Sequence, residues 1–247
     1  MAKDNNIQYR PRLTDSQYRR HLEMEAWNNI LVVGDLHAPW IKKGYLEHCI
    51  EQKERFACDK VIFIGDIVDN HYSSYHDQDP DGLGAGDELD RTIDVLKPWY
   101  KAFPDALVTL GNHDLIIMRK AFSSGLSKRW IKGLDEVLQT PGWDFVEEVI
   151  VNDVLYTHGT GQSGEKAAFL RALHRRMSVV MGHTHTSANV IWSVSNHDRI
   201  FGMQVGCGID ETSYAFAYGK TFSKKMVISC GVVLDNGKLP IVLPMDI

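Results

Sequence analysis

Five times in this chain a short aliphatic run ends abruptly on Asp, Asn or His. The runs are ILVVGDLH (30–37), VIFIGDIVD (61–69), ALVTLGNHD (106–114), VLYTHG (154–159) and VVMGHTH (179–185). Runs this short and this rich in Val, Ile and Leu belong to strands buried in a sheet. Stretches of helical character, residues 42–56 and 87–103, separate the first three. That alternation predicts a β-α-β-α-β unit with a parallel sheet. Ligands of open α/β sheets bind just outside the carboxyl ends of the strands. Asp35, His37, Asp66, Asn112, His113, His158, His183 and His185 are therefore expected together on one rim.

Beyond His185 the pattern changes to strands, at residues 189–194, 199–205 and 225–244. Asn236-Gly237 between apolar runs marks a hairpin, and residues 147–159 read as another, turning at Asn152-Asp153. The second half is thus expected to be largely antiparallel. Residues 1–27 read as an N-terminal extension, in which Thr14 and Gln17 have capping-box spacing for a short helix, and residues 28–247 as one domain. The turn-rich segment 67–87 holds His71, Tyr72, Tyr75 and His76 and starts at the rim. Long loops in compact domains are commonly functional, so His71 and His76 are candidate substrate contacts. Trp99, Trp130, Trp143 and Trp192 are expected to serve packing, and His174 and His197 to lie at the surface.

Composition narrows the setting. No apolar run approaches the roughly 20 residues of a membrane span, so no membrane partner is expected. The start of the chain, MAKDNNIQYRPRLTD, lacks a secretory apolar core. Cys49, Cys58, Cys207 and Cys230 form no C-x-x-C pair, which points away from thiolate metal sites and disulfides and towards a reducing, cytoplasmic location. A formal charge of −5 excludes a globally basic nucleic-acid binder but leaves room for a local basic patch.

The rim residues offer nitrogen and oxygen donors and no sulfur. Such a set suits Mn²⁺, Fe, Co, Ni or Zn²⁺ better than Mg²⁺. There are too many donors for one tetrahedral ion and enough for two ions sharing a bridging ligand. His183 and His185, two residues apart, fall on one side of an extended chain. Two ions about 3.5–4 Å apart can clamp the attacking and leaving oxygens of an in-line displacement. Each motif alone is weak: D-x-H occurs by chance, and GNHD could be a turn whose Asp114 caps the next helix. Their weight comes from standing at five successive strand ends.

In this order D-x-H, GD, GNHD, H-G and GHTH, across residues 30–186, resemble the calcineurin-like metallophosphoesterase superfamily. The resemblance implies an α/β fold, a four-layer α-β-β-α sandwich of two mixed β-sheets flanked by helices, with the strand-rich tail in the second sheet. It implies that Asp35, His37 and His185 hold one divalent ion, that Asn112, His158 and His183 hold the other, and that Asp66 bridges them. Mn²⁺ is the first choice of ion. His113 would contact the phosphate and protonate the leaving group, with Asp69 orienting it, and Asn112, His113, His71 and His76 would be the substrate contacts.

The implied reaction is hydrolysis of a phosphomonoester or phosphodiester by a hydroxide shared between the ions. A small phosphate ester or nucleotide would be the substrate, and nucleic acid is admitted. A nuclease or cyclic-nucleotide phosphodiesterase of the same superfamily is the alternative, and a scaffold without catalysis is disfavoured because no ligand position is lost. Departures narrow the choice further. Asn70 and His71 stand where protein serine/threonine phosphatases carry Arg-Gly, and Asp114 replaces their Glu. Asp69 stands where purple acid phosphatases have tyrosine.

Overall fold

Alternate residues of the buried strands face two different cores, which is what stacks the molecule into layers. The computed structural model describes residues 27–74, 82–213 and 224–246. The Thr14–Gln17 pair, Tyr75 and His76 lie outside the described residues. In β1 (Ile30–Val33), Leu31 and Val33 face one core while Ile30 and Val32 face the other. β2 (Lys60–Phe63) and β3 (Ala106–Thr109) divide likewise, with Val61, Phe63 and Val108 opposite Ile62 and Leu107. The period of two is that of a pleated strand covered on both sides.

Helices α1 (Tyr45–Arg55) and α2 (Ala85–Ala102) bring Tyr45, Cys49, Leu96 and Trp99 onto the outer core of this sheet. The inner core joins Ile30, Val32, Ile62 and Leu107 to Tyr156, Val180, Phe201 and Met203 of a second sheet. The second sheet holds β5 (Glu148–Val151), β6 (Val154–Thr157), β7 (Ser178–Met181), β8 (Ala188–Val194) and β9 (Arg199–Val205). Its far side packs through Leu155 and Val179 on Ala172 of helix α5 (Ala167–Arg175). Two shorter helices, α3 (Ile116–Ser123) and α4 (Leu134–Val137), flank the end of β3. The expected four layers of helix, sheet, sheet and helix are all present.

The first sheet runs in the order β11-β10-β1-β2-β3-β4, with β4 at Trp143–Val146, β10 at Ser229–Leu234 and β11 at Leu239–Pro244. β1 to β4 are mutually parallel, as the sequence pattern predicts for the first three. Both expected hairpins form. Asn152 and Asp153 have φ of 50° and 59° between β5 and β6, and Asp235, Asn236 and Gly237 turn β10 into β11.

The second half is largely antiparallel, as expected, in the pairs β5-β6, β8-β9, β10-β11 and β10-β1, but β6, β7 and β9 run parallel through the middle of the second sheet. The physical reason is α5, which carries the chain from the end of β6 back to the start of β7 as a crossover. The tail is also divided: β8 and β9 enter the second sheet, whereas β10 pairs antiparallel with β1 and extends the first.

Trp99 and Trp143 are buried as expected. Trp192 lies edge-on to Phe201 at 5.3 Å, with the Arg199 guanidinium 5.2 Å from its centroid. Trp130 overturns the packing expectation, since 85% of it is exposed. His174 and His197 are at the surface, and all four cysteines are free and buried. Among the described residues no helix is long and apolar enough to cross a membrane.

The closest helix-to-sheet approach in the second half runs over Gly202 of β9. A Cβ there would stand 2.2 Å from the Phe169 nitrogen and 2.3 Å from its Cα, both backbone atoms of α5. Gly202→Val should therefore lift α5 from the sheet and cost about 1–3 kcal/mol or more. Gly86→Ala in α2, where an added Cβ meets nothing within 4 Å, should be neutral or stabilising by up to about 1 kcal/mol. Urea unfolding midpoints of the two variants check the contrast, and a neutral Gly202→Val would refute the close approach.

Candidate metal centre

The five polar motifs leave the carboxyl ends of β1, β2 and β3 in one sheet and of β6 and β7 in the other, so they converge from two sides. The chain must turn sharply at each exit. His37, Asp66 and His183 adopt left-handed φ of 47°, 48° and 66°, a conformation costing an ordinary residue about 1–2 kcal/mol. Hydrogen bonds hold these turns: the His37 amide donates to the Asp66 carbonyl at 2.9 Å, and the His183 amide to Asp35 Oδ2 at 2.9 Å. Glycine is required where the carboxylates press on backbone. A Cβ on Gly111 would lie 2.0 Å from Asp66 Oδ1, and one on Gly182 would lie 2.1 Å from Asp35 Oδ1.

Three donor clusters form among the described residues: two share Asp66, and the third joins His37, Asp69 and His113. Of the two that share Asp66, one contains Asp35, His37, Asp66 and His185, the other Asp66, His158 and His183. In the first, His185 Nε2 lies 3.0 Å from Asp35 Oδ2 and His37 Nε2 lies 3.5 Å from Asp66 Oδ2. In the second, three groups meet His158 Nε2: Asp66 Oδ2 at 3.1 Å, Asn112 Oδ1 at 3.1 Å and His183 Nδ1 at 3.2 Å. One ring nitrogen cannot bond three neighbours at once. Ligands about 2.1 Å from a common ion, however, stand roughly 3.0–3.5 Å apart in octahedral or tetrahedral shells. The spacing fits coordination.

The tautomers fit as well. His158 Nδ1 donates to the Ile64 carbonyl at 2.9 Å, and His37 Nδ1 donates to Asp69 Oδ1 at 2.6 Å. In both neutral rings Nε2 then carries the lone pair and faces the donor cluster, the usual outer-shell arrangement of a metal-binding histidine. Asp35 Oδ1 is buried without a hydrogen-bond partner. Asp35, Asp66, Asp69 and Asp114 are all buried, and among the described residues no lysine or arginine pairs with any of them. Buried carboxylates without countercharge are expensive, so this residue set calls for cations.

With protons as the only countercharge, the histidines carry it. Burial disfavours a charged His158, but Asp66 and Asp35 push it up to about 9. His37 is likewise raised against burial by its bonds to Asp66 and Asp69. Burial also opposes the charge on Asp66 and Asp69, yet the neighbouring imidazoles hold both carboxyls well below the usual range. His183 moves the other way, lowered by burial and by the charge of His158.

His113 stands beside this centre. Its Nδ1 donates to the Asp69 backbone carbonyl at 2.6 Å and lies 3.3 Å from Asp69 Oδ1. Asp69 thus touches His113 as expected, but its shorter carboxylate contact is to His37, a link between residues 32 apart that the motif did not reveal. His71 Nδ1 lies 3.8 Å from Asp69 Oδ2, and Asn70 Nδ2 donates to the His113 carbonyl at 3.0 Å.

Three supporting residues escaped the sequence reading. Asp114 caps no helix. Its carboxylate accepts from the backbone amides of Asp66, Ile67, Val68 and Gly111 at 2.9, 2.9, 3.2 and 2.8 Å. Glu88 accepts from the His71 and Tyr72 amides at 2.7 and 2.9 Å. Arg119 Nη2 donates to the Asn112 carbonyl at 2.8 Å. GNHD was the one available signal, for Asp114; Glu88 and Arg119 stand in ordinary helical sequence.

The family model described as calcineurin-like phosphoesterase matches residues 29–197. Comparison with curated proteins finds none that matches. Among solved structures, an archaeal phosphodiesterase is similar at 15% identity and TM-score 0.45, covering 88% of this chain and 99% of its own. A metallophosphoesterase from Sphaerobacter thermophilus is similar at 16% identity and TM-score 0.47, covering 89% and 88%. Vacuolar protein sorting 29 from Cryptosporidium parvum is similar at 13% identity and TM-score 0.41, covering 90% and 99%.

The site links protons to stability with a defined sign. A histidine whose folded pKa is raised stabilises fully below its unfolded pKa of about 6.5 and loses that contribution as pH climbs through the folded value. For His158 the window runs from there to about 9. Protein kept in chelator should therefore melt at progressively lower temperature across that window, and Mn²⁺ should raise the melting temperature more at its alkaline end. A pH-independent metal effect would show that these imidazoles do not share a site with the ion.

Proposed function

This chain belongs to the calcineurin-like phosphoesterase family, and from that premise we propose that it is a two-ion hydrolase of phosphate esters. The observation that carries the proposal is the pair of donor clusters sharing the single buried carboxylate of Asp66. Asp35, His37 and His185 would hold one divalent ion and Asn112, His158 and His183 the other, with Asp66 between them. Such ions, when bound, polarise a phosphoryl oxygen and bring the pKa of water near neutrality. Mn²⁺ is the ion to load first.

The rest of the work falls to the chain. Asp69 and the Ile64 carbonyl fix the rings of His37 and His158, so that each turns Nε2 inward. His113 commits Nδ1 to the Asp69 carbonyl, so the proton it can give away sits on Nε2. Burial lowers the affinity of His113 for that proton, but the hydrogen bond to Asp69 outweighs burial and raises it. This histidine is the proton donor to the leaving oxygen, with Asn70 bonded to its backbone carbonyl and His71 beside Asp69. The intact donor set supports catalysis over a scaffold role. A purified protein holding fewer than one ion per chain after Mn²⁺ loading, with no turnover, would reverse that preference. Activity on p-nitrophenyl phosphate against its bis-ester separates the monoesterase from the nuclease or phosphodiesterase reading.

Three substitutions separate the roles. Asp66→Asn should cost at least one ion and nearly all activity. His113→Ala should keep both ions and lose about 10²–10⁴-fold on an alkyl phosphate, whose alkoxide needs a proton, but far less on p-nitrophenyl phosphate. Asp69→Asn acts mainly through His37 and should weaken metal affinity about 10–100-fold. Values of kcat/KM for both esters, with metal content of the same samples, provide the test. Equal losses on both esters in fully loaded His113→Ala would leave His113 a phosphate contact only.

A further inference from the structure

The segment from Leu115 to Gly133 differs from the rest of this acidic protein. It reads LIIMRKAFSSGLSKRWIKG and carries Arg119, Lys120, Lys128, Arg129 and Lys132 with no Asp or Glu, in a chain of net charge −5. It is also where large apolar side chains reach solvent: Phe122 is 82% exposed, Trp130 85% and Leu126 55%, with Ile117 and Met118 exposed beside them. Leaving Phe and Trp in water forgoes the burial that ordinarily stabilises such residues by roughly 1.5–3 kcal/mol each. Clustered apolar groups of this kind mark an interaction surface.

Next to the segment lies a cavity of about 820 Å³. Its lining includes Leu89, Leu110, Leu115, Ile117, Met118 and Leu138, so Ile117 and Met118 belong to both patch and cavity. The cavity also reaches the metal centre's flank, because Asn70 is in its wall and holds the His113 carbonyl.

We propose that residues 115–133 dock on an anionic lipid surface and that the cavity takes the aliphatic chain of a phosphate ester drawn from it. Lys and Arg interleaved with Trp, Phe and Leu are the composition of segments that lie in a membrane interface. Peripheral docking of this kind needs no spanning helix. The second clause of the proposal rests on the phosphoesterase reading. His113 protonates the leaving oxygen, and Asn70 in the cavity wall is bonded to the His113 backbone carbonyl, which sets the cavity next to the residue the departing group meets. That wall is mostly aliphatic and thioether, and of its two aromatic side chains Trp143 is buried and Phe145 half-buried, which suits a flexible chain better than a nucleobase.

The full chain is sedimented with vesicles of phosphatidylcholine alone and of equal parts phosphatidylcholine and phosphatidylglycerol. Wild type should favour the anionic vesicles, and K128E/R129E should lose about fivefold per charge removed at low salt. F122S/W130S should lose binding with every basic residue still in place. All of these side chains are outside the centre, so turnover of p-nitrophenyl phosphate should be unchanged. Equal binding to both vesicle types overturns the docking. So does binding that ignores Phe122 and Trp130 while an oligonucleotide is retained as tightly, which would make the segment a nucleic-acid surface. For the cavity, kcat/KM should climb from ethyl to dodecyl phosphate, compared below the micelle concentration. Turnover without chain-length dependence overturns the cavity assignment, whereas no turnover of any ester overturns the phosphoesterase reading and leaves the vesicles to judge the docking.

Discussion

The four hydrogen bonds accepted by Asp114 hold the centre together. They tie the loop after β2 to the loop after β3, and they do so from beneath Asp66, the one side chain that both candidate ion sites need. Without them the left-handed turn at Asp66 would have to persist against its own conformational preference. A buried carboxylate costs several kcal/mol to desolvate, and bonds from four amides, at about 1.5–3 kcal/mol each when one partner is charged, are of the size needed to offset that. The arrangement still leaves Asp114 uneasy: burial and the charge of Asp66 push it up to about 6. Asp114 therefore takes up a proton in mild acid, before most surface carboxylates respond, and by linkage that protonation favours the folded state.

Beyond that clamp the fold faces a single electrostatic problem, a set of buried carboxylates with no lysine or arginine to answer them. Imidazoles answer it in two ways that exclude each other. As imidazolium they supply charge directly, and as neutral rings they offer lone pairs to a cation that supplies more. His37 and His158 are built for either state, because Nδ1 of each is already committed to an acceptor and Nε2 alone changes role. Protons and an ion bound there would thus compete for the same atoms. Acid would displace such an ion and keep the fold, while alkali without metal would loosen it.

How much of this was legible in the sequence depended on whether the information was local. The strand ends were legible because an aliphatic run and the polar residue after it are contiguous. The turns at Asn152-Asp153 and Asn236-Gly237 were legible because their residue types prescribe the backbone. The division of strands between sheets was not, since β9 and β10 look alike in composition yet pair with β7 and β1. Register across sheets is a long-range property. The contact between His37 and Asp69 was hidden for the same reason, and so were the four amides that meet Asp114, since a polar residue just before a helix could equally have been its cap. Trp130 misled in another way: residue type records what burial would gain, not whether anything is there to bury against.

The metal centre and the basic, apolar segment are linked through one short stretch of chain. Asn112, His113 and Asp114 leave β3, and α3 starts only two residues later at Ile116. Arg119, on that helix, reaches back to the Asn112 carbonyl, so α3 is fastened to the loop at both its covalent start and its first exposed turn. The helix cannot tilt without moving the Asn112 backbone. A surface that engages Phe122 is thereby held in fixed register with His113. Docking on lipid then orients the centre as well as concentrating the protein, and orientation is what an ester still anchored by its chain requires. The phosphate of such an ester sits at the headgroup level while its chain remains below. A cavity that opens beside the docking face, with His113 across its Asn70 wall, meets that geometry without any large motion of the fold.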